Sequence, residues 1–130
     1  MLDRRWLTNN GPLVQEFEAQ IQQTLKVRHC ICVCNATVGL ELAIRAAGLT
    51  GEAIVPSYTF VATAHALQWQ EIAPVFADMD PATHNIDATK VDRHITPRTT
   101  GIIATHVWGR PAPIEALADI ARRRNLKLIF

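Results

Sequence analysis

Apolar runs of four to six residues alternate with longer amphipathic runs along almost the whole chain, and polar, glycine or proline-bearing turns separate them. The apolar runs at residues 30–34, 53–56, 73–77, 100–105 and 126–130 have the length of buried strands. Helical patterns fill the intervals at 13–25, 37–47, 59–69, 85–95 and 114–121. Parallel strands need long crossovers, which helices supply, so this alternation predicts a three-layer α/β fold: a mostly parallel sheet with flanking helices. No repeat, low-complexity segment or linker interrupts it, and 130 residues are enough for one domain with a sizeable core.

The individual elements carry their own signals. Asn9-Asn10-Gly11-Pro12 supplies a cap, a breaker and a proline suited to a first helical turn, after an irregular stretch over residues 1–10. Leu13, Phe17, Ile21 and Leu25 then form one apolar stripe that needs a facing element. The helix from Thr37 to Ala47 has few polar positions and is expected to be well buried, with Gly48 ending it. The last run reaches the final residue without a closing helix, so the reading is of a domain incomplete at its C-terminus.

In such sheets ligands bind beyond the carboxyl ends of the strands, which singles out the loops at 35–37, 57–60 and 106–109. The first of these lies in Cys34-Asn35-Ala36-Thr37-Val38-Gly39, a polar turn running into a helix. A helix N-terminus offers unpaired N–H groups and about half a positive charge, so it favours a phosphate or carboxylate. Small residues at Ala36 and Thr37 let an anion approach, and the Thr37 hydroxyl adds a donor. Asn35 or Thr37 acting only as an N-cap is the plainer alternative.

Composition narrows the partners. Thirteen Lys and Arg face twelve Asp and Glu, so no strong field recommends nucleic acid or an anionic membrane. The dense basic run Arg122-Arg123-Arg124 falls at a helix end, where the dipole favours cations. Residues 1–6 hold no signal-like apolar run, and no stretch approaches the ~18 apolar residues of a membrane span, so a cytoplasmic protein is expected. Cys30, Cys32 and Cys34 alternate on one strand face and read as buried reduced thiols, neither a disulfide framework nor a metal site with His29. Asp78 and Asp80 lack the glycine and distal glutamate of a calcium loop and read as solvated turn carboxylates; no metal is expected. A generic nucleotide-binding module is disfavoured, because neither G-x-G-x-x-G nor G-x-x-x-x-G-K-[ST] occurs.

An ordered series of segments then carries a resemblance. It comprises Trp6-Leu7-Thr8-Asn9-Asn10-Gly11-Pro12, Asn35-Ala36-Thr37 with Leu40-Glu41-Leu42-Ala43, Pro56-Ser57-Tyr58-Thr59-Phe60-Val61-Ala62-Thr63, Pro74-Val75-Phe76-Ala77-Asp78, Asn85-Ile86-Asp87, Ile95-Thr96-Pro97-Arg98-Thr99 and His106-Val107-Trp108-Gly109. In this the chain resembles the DegT/DnrJ/EryC1/StrS sugar aminotransferases, fold type I enzymes that use pyridoxal 5'-phosphate (PLP). The resemblance implies that residues 1–130 are the N-terminal part of the large domain. It implies that Ala36, Thr37 and Val38 hold the cofactor phosphate, that Phe60 lies against the pyridine ring, and that Thr8 and Asn10 lie on the substrate side. His106 is read as a satisfied histidine.

It further implies a homodimer that moves an amino group from an amino-acid donor, glutamate, to a keto-sugar nucleotide. Two family features are missing here. The aspartate that pairs with the pyridine nitrogen would follow Phe130, and Lys26, Lys90 and Lys127 are outside the family's Schiff-base lysine motif, so no catalytic residue is assigned. A sugar dehydratase relative using the same cofactor, and a non-catalytic fold fragment or binding protein, are the alternatives. Glycine often stands in relatives where this chain has Ala36, which would matter if that position required positive φ.

Overall fold

The structure is a computed structural model that describes Trp6 and residues 8–130, in two compact units divided between Cys34 and Asn35. Leu7 and part of the stretch read as irregular lie outside the described residues. The smaller unit is built on helix α1 (Pro12–Leu25). Gly11, not an asparagine side chain, occupies its N-cap, Pro12 takes the first helical position, and Lys26 closes it in the left-handed conformation. Asn10 also has positive φ, and its carbonyl accepts from Gln15 Nε2 at 3.1 Å. No α1 residue is buried, so the stripe of Leu13, Phe17 and Leu25 remains exposed.

Residues 29–34 depart from expectation. They form no strand, and Ile31 is 79% exposed. A strand needs the backbone of a neighbouring strand, and here the Cys32 N–H donates to a side chain instead, Glu18 Oε1 at 2.7 Å. Against the expectation of burial, Cys32 and Cys34 are exposed and Cys30 is half-buried. Partial desolvation, followed by the Glu18 carboxylate, pushes the Cys32 thiol up, away from the reactive thiolate form.

The larger unit realises the three-layer plan. Strands β1 (Glu52–Pro56), β2 (Ala73–Ala77), β3 (Thr99–Ile103) and β4 (Lys127–Ile129) form one parallel sheet in the order β2-β1-β3-β4. Side chains alternate across it. Ala53, Val55 and Ile103 face helices α2 (Ala36–Ala47) and α3 (Ala62–Gln68), meeting Ile44, Ala66 and Leu67. Ile54, Ile102 and Ala104 face the other layer, meeting Val91 of α4 (Ala88–Val91) and Leu117 and Ile120 of α5 (Ile114–Arg124). Each large apolar side chain so buried contributes about 1.5–3 kcal/mol.

β1 is buried along its whole length, as a central parallel strand should be. Helix α2 is less buried than its composition suggested: Ile44 alone is fully enclosed, because only the face bearing Leu40, Ile44 and Ala47 meets the core. The remaining charges are used structurally. Asp80 caps the turn after β2 by accepting from Ala82 N at 2.7 Å and Thr83 N at 3.0 Å, and Asp78 pairs with Arg93. Arg124 and Arg123 reach Asp92 at 2.8 and 3.3 Å and hold its carboxyl below the usual range.

Candidate active site at the carboxyl end of the sheet

The strand order creates a switch point. From β1 the chain steps outward to β2 through α3 on one face, then returns past β1 to β3 and places α4 and α5 on the other. The crossovers diverge between β1 and β3, leaving a crevice beyond their carboxyl ends. The loop after β1 carries Tyr58, Thr59 and Phe60, and the loop after β3 carries Thr105, His106 and Trp108.

A hydroxyl chain ties these loops together. Thr59 Oγ1 lies 2.9 Å from Thr63 Oγ1 and 3.0 Å from Thr105 Oγ1. Two cavities share the Thr105–His106 wall. One, of about 330 Å³, is lined by Tyr58, Phe60 and Trp108; the other, of about 370 Å³, by Ala36, Gly39, Thr63 and Phe130. Phe60 is 75% exposed, so its flat apolar face is available. His106 is fixed: its Nδ1 accepts from Ala112 N at 2.9 Å, which puts the proton of the neutral ring on Nε2, and its ring stacks on Phe130 at 5.1 Å.

The predicted anion turn is the first turn of α2. Asn35 is its N-cap, its side chain accepting from Val38 N at 2.9 Å, so the N–H of Val38 is already committed. Ala36 and Thr37 supply the first two helical N–H groups, which have no intrahelical acceptor. The cap therefore leaves two N–H groups of the same turn without a helical acceptor. Ala36 begins ordinary right-handed helix and not positive-φ backbone, so alanine in place of glycine imposes no strain.

These residues fit a planar, phosphorylated cofactor such as PLP. A helix N-terminus with a small residue at its mouth suits the phosphate, and an exposed aromatic face suits the ring. Thr8 and Asn10 are exposed residues of the smaller unit. Lys26 is the α1 C-cap, Lys90 pairs with Asp87 at 3.2 Å, and Lys127 opens β4, so none lines either cavity. The structure brings together the loops at 57–60 and 106–109, and the sequence reading missed the Thr59–Thr63–Thr105 chain that joins them and the bonds from Asn85 to Val107, Arg110 and Pro111. Only the i,i+4 spacing of Thr59 and Thr63 hinted at the first of these.

The fold is shared with known proteins. The chain is 41% identical over 126 residues to dTDP-4-amino-4,6-dideoxy-D-glucose transaminase of Escherichia coli, covering 97% of this chain and 34% of the relative. Its fold superposes on DesI, solved in the presence of its TDP-sugar product, with TM-score 0.93 and 50% identity over 98% of this chain and 32% of that one. NtdA of Bacillus subtilis with bound cofactor PMP gives TM-score 0.89 and 30% identity, over 92% and 28% of the two chains. The chain thus spans about a third of the length of the curated relatives it matches. The sequence pattern of the DegT/DnrJ/EryC1/StrS aminotransferases matches residues 1–130, and the chain belongs to that family.

Proposed function

We propose that the polypeptide containing these residues is a PLP-dependent aminotransferase that moves an amino group from glutamate onto a keto-sugar nucleotide. The observation that carries this is the pairing of an open helix N-terminus at Ala36–Thr37 with the Phe60 face, on cavities that share the Thr105–His106 wall. Relatives named as transaminases of nucleotide-linked sugars support the substrate class. Bound PLP supplies an electron sink for proton movement between donor and acceptor carbons.

The roles of this chain's own residues follow from their chemistry. The N–H groups of Ala36 and Thr37, with the Thr37 hydroxyl, bind the phosphate, while Val38 keeps the turn closed through the Asn35 cap. Phe60 excludes water from one face of the ring and orients it. The Thr59 hydroxyl chain holds the Phe60 loop against the β3 loop. Thr8 and Asn10 are assigned to the substrate side on family resemblance. The amine that anchors the cofactor is not among Lys26, Lys90 and Lys127, so residues 1–130 are assigned binding and orientation as the N-terminal part of the large domain.

The test uses the complete gene product. Incubation with PLP, glutamate and a panel of keto-sugar nucleotides should yield 2-oxoglutarate and a sugar nucleotide carrying a new amino group by mass. A folded, PLP-loaded protein that aminates none of them would overturn the assignment. A homodimer is proposed with it, and light scattering showing only monomer at micromolar concentration would remove that part.

A further inference from the structure

The turn after β2 carries a buried polar side chain that the mechanism above does not use. Ile86, 1% exposed, anchors the end of that turn in the core, and Met79 pairs with it in an antiparallel bridge. The backbone of Asn85 is fixed at both its groups: its N–H donates to Thr83 Oγ1 at 3.3 Å, and its carbonyl accepts from Asp80 N at 2.9 Å. Asn85 is itself 1% exposed, and its side chain crosses to the loop after β3.

There it meets three backbone groups: Oδ1 accepts from Val107 N at 3.1 Å, and Nδ2 donates to the carbonyls of Arg110 at 3.3 Å and Pro111 at 3.1 Å. Asparagine alone offers one acceptor and two donors on so short a planar group. Aspartate would face both carbonyls with an oxygen, and alanine would leave all of these groups without their partner.

The loop so gripped is the one that closes on His106. Val107 follows His106 directly, and His106 Nδ1 accepts from Ala112 N at 2.9 Å, one residue beyond Pro111. The imidazole thus joins the two ends of a loop whose middle is held by Asn85, on the wall that the two cavities share. Within the loop, Trp108 and Gly109 have φ of 52° and 78°. A tryptophan does not keep left-handed backbone by local preference, so this conformation needs a clamp from outside the loop.

We propose that Asn85 is a positioning residue for the cofactor pocket: through Val107 and the 106–112 loop it fixes the His106 ring on the wall shared by the two cavities. The proposal rests on the functional reading above for the identity of the cofactor. Asn85 lines neither of those cavities, so it acts through His106 and not by contact. A wall that shifts by a fraction of its own thickness changes the fit of a bound ring and phosphate even where the fold survives.

The experiment measures PLP dissociation constants of the complete gene product by absorbance, at a temperature where circular dichroism shows each variant folded. Asn85→Ala should weaken PLP binding about tenfold. His106→Ala should weaken it too, and the double variant should bind no more weakly than the weaker single one, because both changes remove the same placement. Glu52→Gln, at the opposite end of the sheet, should leave PLP affinity within about twofold of the unsubstituted protein. If Asn85→Ala does not fold, Asn85→Ser takes its place with the same expectation. Unchanged PLP affinity in the folded Asn85 variant, or Asn85 and His106 effects that simply multiply, overturns the proposal even if the protein aminates keto-sugar nucleotides. An equal loss in Glu52→Gln would make the effect one of stability alone and overturn it as well. A coupled loss of PLP affinity in a protein that aminates no keto-sugar nucleotide upholds the positioning role and removes the aminotransferase reading instead.

Discussion

The two ends of the parallel sheet are built on opposite principles. At the amino end, Glu52 is buried and its carboxylate is answered on both oxygens, by the Thr96 hydroxyl at 2.5 Å and by Arg98. Gly51 lies so close to the Arg98 carbonyl that a Cβ would sit 2.6 Å from its oxygen, and Thr100 Oγ1 donates to the Thr50 carbonyl at 2.6 Å. This end is closed on itself. At the carboxyl end, Phe60 and Trp108 are left in solvent, the α2 N-terminus is open, and cavities separate the loops. The difference teaches where the fold keeps its stability and where it gives stability up for binding.

Substitutions can break that contrast, and the largest effect is expected at the closed end. Gly51→Ala adds a Cβ against backbone at positive φ, so urea denaturation should show a loss of about 3 kcal/mol. At the open end, Asn85→Ala strips partners from Val107 N–H and two carbonyls, and should cost about 2 kcal/mol while changing tryptophan fluorescence. A cost below 0.5 kcal/mol there would mean that the loop is not clamped through Asn85.

The closed end also sets an acid response. The Thr96 hydroxyl, and after it Arg98, hold the Glu52 carboxyl below its ordinary 4.5 despite the opposing effect of burial. A carboxyl with a lowered native pKa stabilises the fold fully above its unfolded value, and the contribution is lost as pH falls through the native one. Urea midpoints should therefore drop between pH 5 and pH 3, and Glu52→Gln should be less stable at pH 7 but show a flatter acid profile. An identical profile in the variant would assign the acid response to other carboxylates, Asp92 and Asp87 foremost, which are also lowered.

Phe60→Ala sharpens the comparison by doing least to stability. With 75% of the residue exposed, the change should stay within about 0.5 kcal/mol, while PLP binding by the complete gene product, followed by absorbance, weakens about 2- to 10-fold. A large loss of stability with unchanged cofactor affinity would make Phe60 a packing residue.

Much of this was legible from local pattern. The runs at 53–56 and 73–77 lie within strands β1 and β2, because a short apolar run between turn residues has few other uses in a chain with helical neighbours. The turn from Asn35 into α2 was legible because capping is decided within four residues. The run at 29–34 had the same apolar pattern as β1 yet forms no strand, since pairing depends on a neighbour that pattern cannot supply.

What the sequence determined by itself, then, is most of the alternation of elements, the parallel sheet it requires, and two of the loops at the strand ends, 57–60 after β1 and 106–109 after β3. The tertiary structure alone decided how those loops meet. Strand order β2-β1-β3-β4 brings Thr59 to Thr105 across 46 positions and Asn85 to Val107 across 22, and it sets Trp108 beside Tyr58. Periodicity is a property of neighbours in the chain, whereas a crevice is made by residues whose separation in sequence carries no signal until the sheet has assembled.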